Sequence, residues 1–367
     1  MRRIRGFDGL RGIAAVLVAL THYGIFMGAT SPAVEMVRGA AAVQLFFVLS
    51  GFLITLLMIE EQEAFERVNI PFFYGRRALR IIPLYVVLLL FISAVKLFVY
   101  PVAGWHAMMF AWLYIYNFVP YEYYSGQLGH TWSLAVEEHF YLVWPLLFAR
   151  LYPRRRPWLV SLCIAFILGA AGCHQLLMAQ PVARRYFVEW WTFTAGGSIA
   201  MGCAAALSLQ SGRAAGTVRR LAASGVAIAL AVALWGQSLW GFAFNLPAAQ
   251  LLRGSGFTLL IAWIYLNQES LLTRFLEWSA LRYLGRISYG IYVYQGLFLA
   301  NGPERRPGQL WPPDPRAGML LLCLVAPLSY HAFEERLIAV GRRFRQKPVQ
   351  DAVTDVPSRK PQRIRVL

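Results

Sequence analysis

Apolar runs long enough to cross a lipid bilayer recur along almost the whole chain, and that repetition restricts the fold more than any other feature. The first run is 10–27, and others follow at 40–59, 81–100, 132–152, 158–178, 186–208, 221–241, 247–267, 284–300 and 317–340. A hydrocarbon layer about 30 Å thick takes roughly 20 residues of helix, since each backbone N–H and C=O must find its partner inside the segment. The pattern predicts an all-α polytopic membrane protein of about ten transmembrane helices. Composition agrees: 58% of the residues are hydrophobic and only 14% charged, more apolar than a soluble core of 367 residues requires.

A net charge of +17 would suit a nucleic-acid partner if the basic residues formed one patch. They instead fall in alternate loops: Arg2, Arg3 and Arg5; Arg76, Arg77 and Arg80; Arg154, Arg155 and Arg156; Arg219 and Arg220; Arg342, Arg343, Arg345 and Lys347. This is the positive-inside bias, which places both termini in the cytoplasm and excludes nucleic acid as the reason for the charge. Trp105–Pro120 tests the map, because a full crossing there would put Arg154–Arg156 outside. It is read as a re-entrant or interfacial helix, a setting that suits Trp105, Trp112, Tyr114 and Tyr116.

The N-terminus imitates a secretory signal, but Arg11 and His22 within or beside the apolar run, and no clear A-x-A site, argue that it is retained. Cys163, Cys173, Cys203 and Cys323 lack metal-ligand spacing and read as packing residues. Residues 1–345 form the membrane domain on this reading. Residues 346–367 form a basic, disordered cytoplasmic tail beside anionic headgroups.

The informative residues are the polar ones inside apolar runs. Arg11 and His22 are eleven positions apart, three helical turns, and so lie on one stripe about 16 Å apart along the axis. Ionisable groups at such depth face an interior cavity or a partner. His22 is the side-chain type able to take and return a proton near neutral pH. Arg77 and Arg80 share a helix face, with Pro83 expected in the first turns of the span that follows. Glu137 and Glu138 point about 100° apart, so one need face a cavity, and Glu137 is the choice. His130, Glu137 and His139 fit no zinc spacing, so no metal is expected.

Four segments in order resemble the acyltransferase 3 family of integral membrane O-acyltransferases. They are Phe7–Ala15 with His22 (FDGLRGIAA), Phe46–Ile54 (FFVLSGFLI), Phe73–Tyr85 (FYGRRALRIIPLY) and His130–Tyr141 (HTWSLAVEEHFY). Leu284–Tyr292 and Ser329–Glu334 match more loosely. His139 stands where Gln is common in the family, and Gln295 where His is common. The resemblance implies that His22 and Glu137 are catalytic and that Arg11, Arg77 and Arg80 hold the phosphates of an acyl-coenzyme A donor. It implies that His130, Trp132, Ser133, Tyr289 and Glu334 bind substrate.

Plainer readings stand beside these roles. Asp8 could pair with Arg11, positive-inside anchoring explains many Arg pairs, and an interfacial belt suits Trp132 and Tyr141. The family implies a multi-pass protein of the bacterial cytoplasmic (inner) membrane that moves an acyl group, acetyl foremost, from cytoplasmic acyl-CoA to a hydroxyl of an extracytoplasmic glycan or glycolipid. No resident cofactor is implied, acetyl-CoA being a substrate, and the oligomeric state stays open. With no soluble domain expected after the last span, the transfer would be completed in the membrane part or handed to another protein. P-loop, G-x-S-x-G and G-x-G-x-x-G motifs are missing from the sequence, which leaves ATPase, Ser-hydrolase and nicotinamide chemistry unsupported. A multi-pass carrier is the alternative, since buried His, Glu and Arg also line transport paths.

Overall fold

The computed structural model describes residues 3–26, 39–98, 104–210, 212–237, 246–299 and 314–344. The proposed tail at 346–367 lies outside them. Among the described residues the chain is helical with no strand; one isolated antiparallel bridge joins Pro120 to Tyr186. The helices that matter are α1 (Phe7–Phe26), α2 (Gly39–Phe65), α3 (Ile70–Phe98), α4 (Trp105–Trp112), α5 (Thr131–Met178), α6 (Gly197–Leu209), α7 (Gly212–Ala223), α8 (Gly225–Gln237), α9 (Leu246–Leu266), α10 (Ser279–Arg286), α11 (Ser288–Phe298), α12 (Pro315–Ser329) and α13 (Glu335–Gly341).

Among the described residues, six helical stretches are long and apolar enough to cross a membrane, or seven if the pair Gly216–Ala223 and Gly225–Leu234, bent by 64°, is one span. The protein is a multi-pass membrane protein, and the expected ten full-length helices are not reproduced. One reason is α11, whose eleven residues reach only about 16 Å. Another is that the runs 132–152 and 158–178 form one continuous helical stretch, Gly126–Met178; the run 186–208 does supply a candidate span, Thr192–Leu209, after a single turn of 3₁₀ helix at Val188–Trp190. Aromatic residues there raise hydropathy without making helix.

The loop expected at Pro153–Pro157 is instead a kink. α5 runs through it, broken only at Arg155 (φ −137°, ψ 42°), because prolines remove hydrogen-bond donors while keeping helical φ. The direction nevertheless reverses. Ahead of the kink, Tyr141 meets Ser50 (2.8 Å), Trp144 donates to Thr55 (2.9 Å) and Tyr152 reaches Glu63 (3.4 Å), so α5 runs alongside α2. After it, Cys163 stands beside Cys203 and Ala170 against Gly197. Gln44, near the start of α2, donates to the neighbouring Ser198 (3.0 Å). The second half of α5 therefore runs back toward the start of α2.

α3 starts at Ile70 because Asn69 caps it: Oδ1 accepts from Phe72 N (3.0 Å) and the carbonyl accepts from Phe73 N (2.9 Å). Arg76, Arg77 and Arg80 thus lie within the spanning helix. Pro83 is in its interior rather than in a first turn. α4, with eight residues and a reach of about 12 Å, is too short to cross.

Two glycine seams fix the site's floor. A Cβ built on Gly12 would stand 2.6 Å from the Leu281 carbonyl, and one on Gly285 would stand 1.9 Å from that of Asp8, so α1 and α10 meet backbone to backbone. Gly51 and Gly202 close α2 on α6 in the same way. Leucines such as Leu90, Leu142, Leu168 and Leu324 point outward, more than half exposed, and form the lipid-facing surface.

Candidate active site

A cavity of about 90 Å³, open on one side, is lined by α1, α2, α3, α5 and α11. Its wall carries three guanidiniums, Arg11, Arg77 and Arg80, with Glu137, Glu138, Ser50, Tyr141, Ser133, Tyr289 and Tyr292. The three arginines come from two helices that present them at matching depth. α1 is held there by its glycine seam, and on α3 the i, i+3 spacing points Arg77 and Arg80 inward. Arg76, on a different face, instead binds Glu61 (3.2 Å) and the Phe344 carbonyl (2.5 Å).

Arg11, Arg77 and Arg80 lie close enough to repel one another, and among the described residues none is ion-paired. Arg77 is over the rings of Tyr141 (5.0 Å) and Phe73 (5.9 Å). Glu137 stands within reach of the Ser50 hydroxyl and of the charges on Arg77 and Arg11. Glu138 also faces the cavity, with Oε1 buried and unbonded. Both carboxylates therefore line it, where the sequence required one. Asp8 pairs with Arg3 (3.1 Å) and stays within electrostatic reach of Arg11 without forming the ion pair of the plainer reading.

At the far end Ser133 and Tyr292 share a hydrogen bond, and the Tyr292 hydroxyl donates to the His130 carbonyl (3.2 Å). Tyr289 lines the cavity and donates to the Ile81 carbonyl (2.7 Å). His130 itself is buried at the first turn of α5, its ring against Gly296, with both nitrogens unbonded. His22 is half-buried on α1 at the same end, within electrostatic reach of His130. Neither histidine is in the cavity wall, and neither are Trp132 and Glu334.

His22 Nδ1 lies 2.9 Å from the Val18 carbonyl. A carbonyl only accepts, so Nδ1 carries the proton and Nε2 keeps its lone pair. Glu334 sits in a π-turn, Tyr330–Glu334, between α12 and α13. It accepts from Ser329 (3.2 Å), which in turn accepts from Tyr294 (3.0 Å), and it faces Arg80 electrostatically. Of the two departures from the family pattern, His139 bonds Thr192 (2.6 Å), and Gln295 is fully buried with both amide atoms unbonded. Sequence reasoning did not assign Ser50, Glu138, Tyr141 and Tyr292 to the site, although all four lie within the matched segments.

These features define a multi-pass helical membrane protein built around one arginine-lined cavity. The acyltransferase-domain family model matches residues 4–302, and the chain belongs to the acyltransferase 3 family. Among curated relatives, YrhL of Bacillus subtilis, provisionally named a peptidoglycan O-acetyltransferase, is 26% identical over 375 residues, covering 93% of this chain and 56% of YrhL. The peptidoglycan O-acetyltransferase OatA of Listeria monocytogenes is 26% identical over 310 residues, covering 79% of this chain and 48% of OatA. The O-acetyltransferase OatA of Staphylococcus aureus is 32% identical over 167 residues, 42% of this chain and 26% of its own. The chain spans about half the length of the first two. No solved structure matches it.

Proposed function

We propose that the chain is an O-acetyltransferase of the bacterial cytoplasmic membrane, moving acetyl from cytoplasmic acetyl-CoA to a hydroxyl of an extracytoplasmic glycan. The observation that carries the reading is the trio Arg11, Arg77 and Arg80, three guanidiniums in one cavity wall with no ion pair among the described residues. Such a cluster calls for an anion, and planar forks suit phosphate oxygens. The diphosphate and ribose phosphate of coenzyme A would rest there. The 16 Å or so from Arg11 to His22 along α1 is comparable to an extended pantetheine arm, so the thioester would come to the histidine end.

There the acceptor hydroxyl loses its proton to His22 Nε2 as its oxygen attacks the thioester carbonyl. The tetrahedral adduct collapses, the C–S bond breaks, and the proton passes to the departing thiolate. Acetyl moves from sulfur to oxygen with no net change in charge. Glu137 sits between the arginines and the hydroxyls of Ser50 and Tyr141, where it holds the cavity's polar groups in register. Members of the family named for peptidoglycan support a glycan acceptor here. The test is purified protein with acetyl-labelled coenzyme A and envelope glycan. Label on carbohydrate is the expected result, and coenzyme turnover with label only in water-soluble acetate would overturn the glycan acceptor.

A further inference from the structure

The two loops beside the His130 end carry an aromatic stair of which the roles above use only Trp132. Pro120 bridges to Tyr186, and Tyr121 N donates to the Arg185 carbonyl (2.9 Å), so the segments before and after the α5 hairpin are tied together. From the surface inward, Tyr121 meets Phe187 edge-on (4.1 Å, 82°) and Phe187 lies flat on Trp190 (3.9 Å, 6°). Trp190 lies flat on Trp132 (5.3 Å, 7°), and Trp132 meets Phe47 edge-on (5.8 Å, 87°). Phe47 is part of the cavity wall. Tyr124 flanks Phe187 and Trp190 and is 46% exposed.

We propose that this stair is a binding site for a glycan chain, which it seats above the cavity so that one sugar reaches the transfer point. Three observations favour a sugar occupant over lipid. A ring of a membrane belt, such as Trp158, faces outward from a lipid-facing helix, whereas these rings are stacked on one another. The rim carries both signs of charge in exposed Glu122, Arg184 and Arg185, groups that satisfy hydroxyls and are costly against hydrocarbon. The stair is continuous with the cavity wall. The exposed ring of Tyr124, held in place by the stacked Phe187 and Trp190, can take the C–H face of a sugar while the sugar hydroxyls turn to such a rim.

The inference rests on the glycan-acceptor reading but is measured without turnover. A fluorophore-labelled β-1,4-linked N-acetylglucosamine tetramer is titrated, with no donor, against the full chain in lipid nanodiscs. Saturable binding is expected, weakened about tenfold or more by Trp190→Ala and by Tyr124→Ala and kept by Trp190→Phe and Tyr124→Phe. Tyr124 is exposed enough that its variant folds even if Trp190→Ala does not. No saturable binding by the wild type, or binding unchanged in Tyr124→Ala, overturns the site. Binding by the stair without acetyl transfer to any carbohydrate retains this inference and sinks the proposed activity. Transfer to glycan together with unchanged binding in the variants does the reverse.

Discussion

The Arg77 guanidinium lies 5.0 Å over the ring of Tyr141, so α3 and α5 are joined across the cavity by a cation and an aromatic face. A desolvated contact of this kind is worth about 2 kcal/mol, and it holds Arg77 without neutralising it. Tyr141→Ala should therefore raise the donor KM severalfold. Tyr141→Phe, which keeps the ring and loses only the hydroxyl beside Ser50 and Glu137, should stay near wild type. Arg77→Ala, Arg80→Ala and Arg11→Ala should each raise the donor KM by about tenfold or more, with kcat less affected, if their contacts are equal in ground and transition states. Wild-type donor KM in all three would return them to topological anchoring.

The glycine seam makes a stability prediction. Gly12→Ala and Gly285→Ala force apart backbones that an added carbon would approach within 2.6 and 1.9 Å. Overpacking costs about 1–3 kcal/mol where neighbours can shift, and here the neighbours are backbone. Both variants should unfold at lower temperature in detergent and lose donor binding, because the same seam sets the depth of Arg11. Gly172→Ala has open space and should gain about 0.5–1 kcal/mol from lost chain entropy. A midpoint unchanged in Gly285→Ala would mean that α10 is free to move away.

The residues that sequence placed at the site owe their legibility to burial in the wrong medium. Arg11, Arg77, Arg80 and Glu137 are expensive in hydrocarbon, and all four line one cavity. Ser50, Tyr141 and Tyr292 carry no such cost. α2 shows why Ser50 stayed hidden: the apolar part of the helix is 83% buried, so apolar residues surround it and no polar stripe sets its rotation. Pro153 and Pro157 read as a loop, yet φ near −65° fits helix, and only Arg155 had to yield. The run 186–208 counted Phe187, Trp190 and Trp191 as hydrocarbon-seeking, and the structure spends Phe187 and Trp190 on the stair.

Orientation is open to direct measurement. Arg154 lies at the hairpin end of α5 and Glu122 in the loop preceding its first turn, about one bilayer apart along the first pass. In a cysteine-free background, an impermeant maleimide added to intact cells should label Glu122→Cys and leave Arg154→Cys unlabelled until the membrane is opened. The opposite pattern would put the arginine-rich hairpin outside and the donor cluster on the wrong side for a cytoplasmic coenzyme.

His22 gives the sharpest separation of roles. Its Nδ1 is committed to the Val18 carbonyl, a backbone group four residues earlier on α1, so the tautomer is fixed by the helix and not by a replaceable side chain. Nε2 is then the basic nitrogen. Removing a general base costs roughly 10²–10⁴ in rate, so His22→Ala should lower kcat by that factor. The donor KM should hold, because the arginines remain. Thermal stability should hold too, since the substitution leaves no unsatisfied acceptor: the Val18 carbonyl keeps its helical partner, the backbone N–H of position 22. A kcat within a factor of about three of wild type would remove His22 from the chemistry. A raised KM with kcat intact would move it to the binding of substrate.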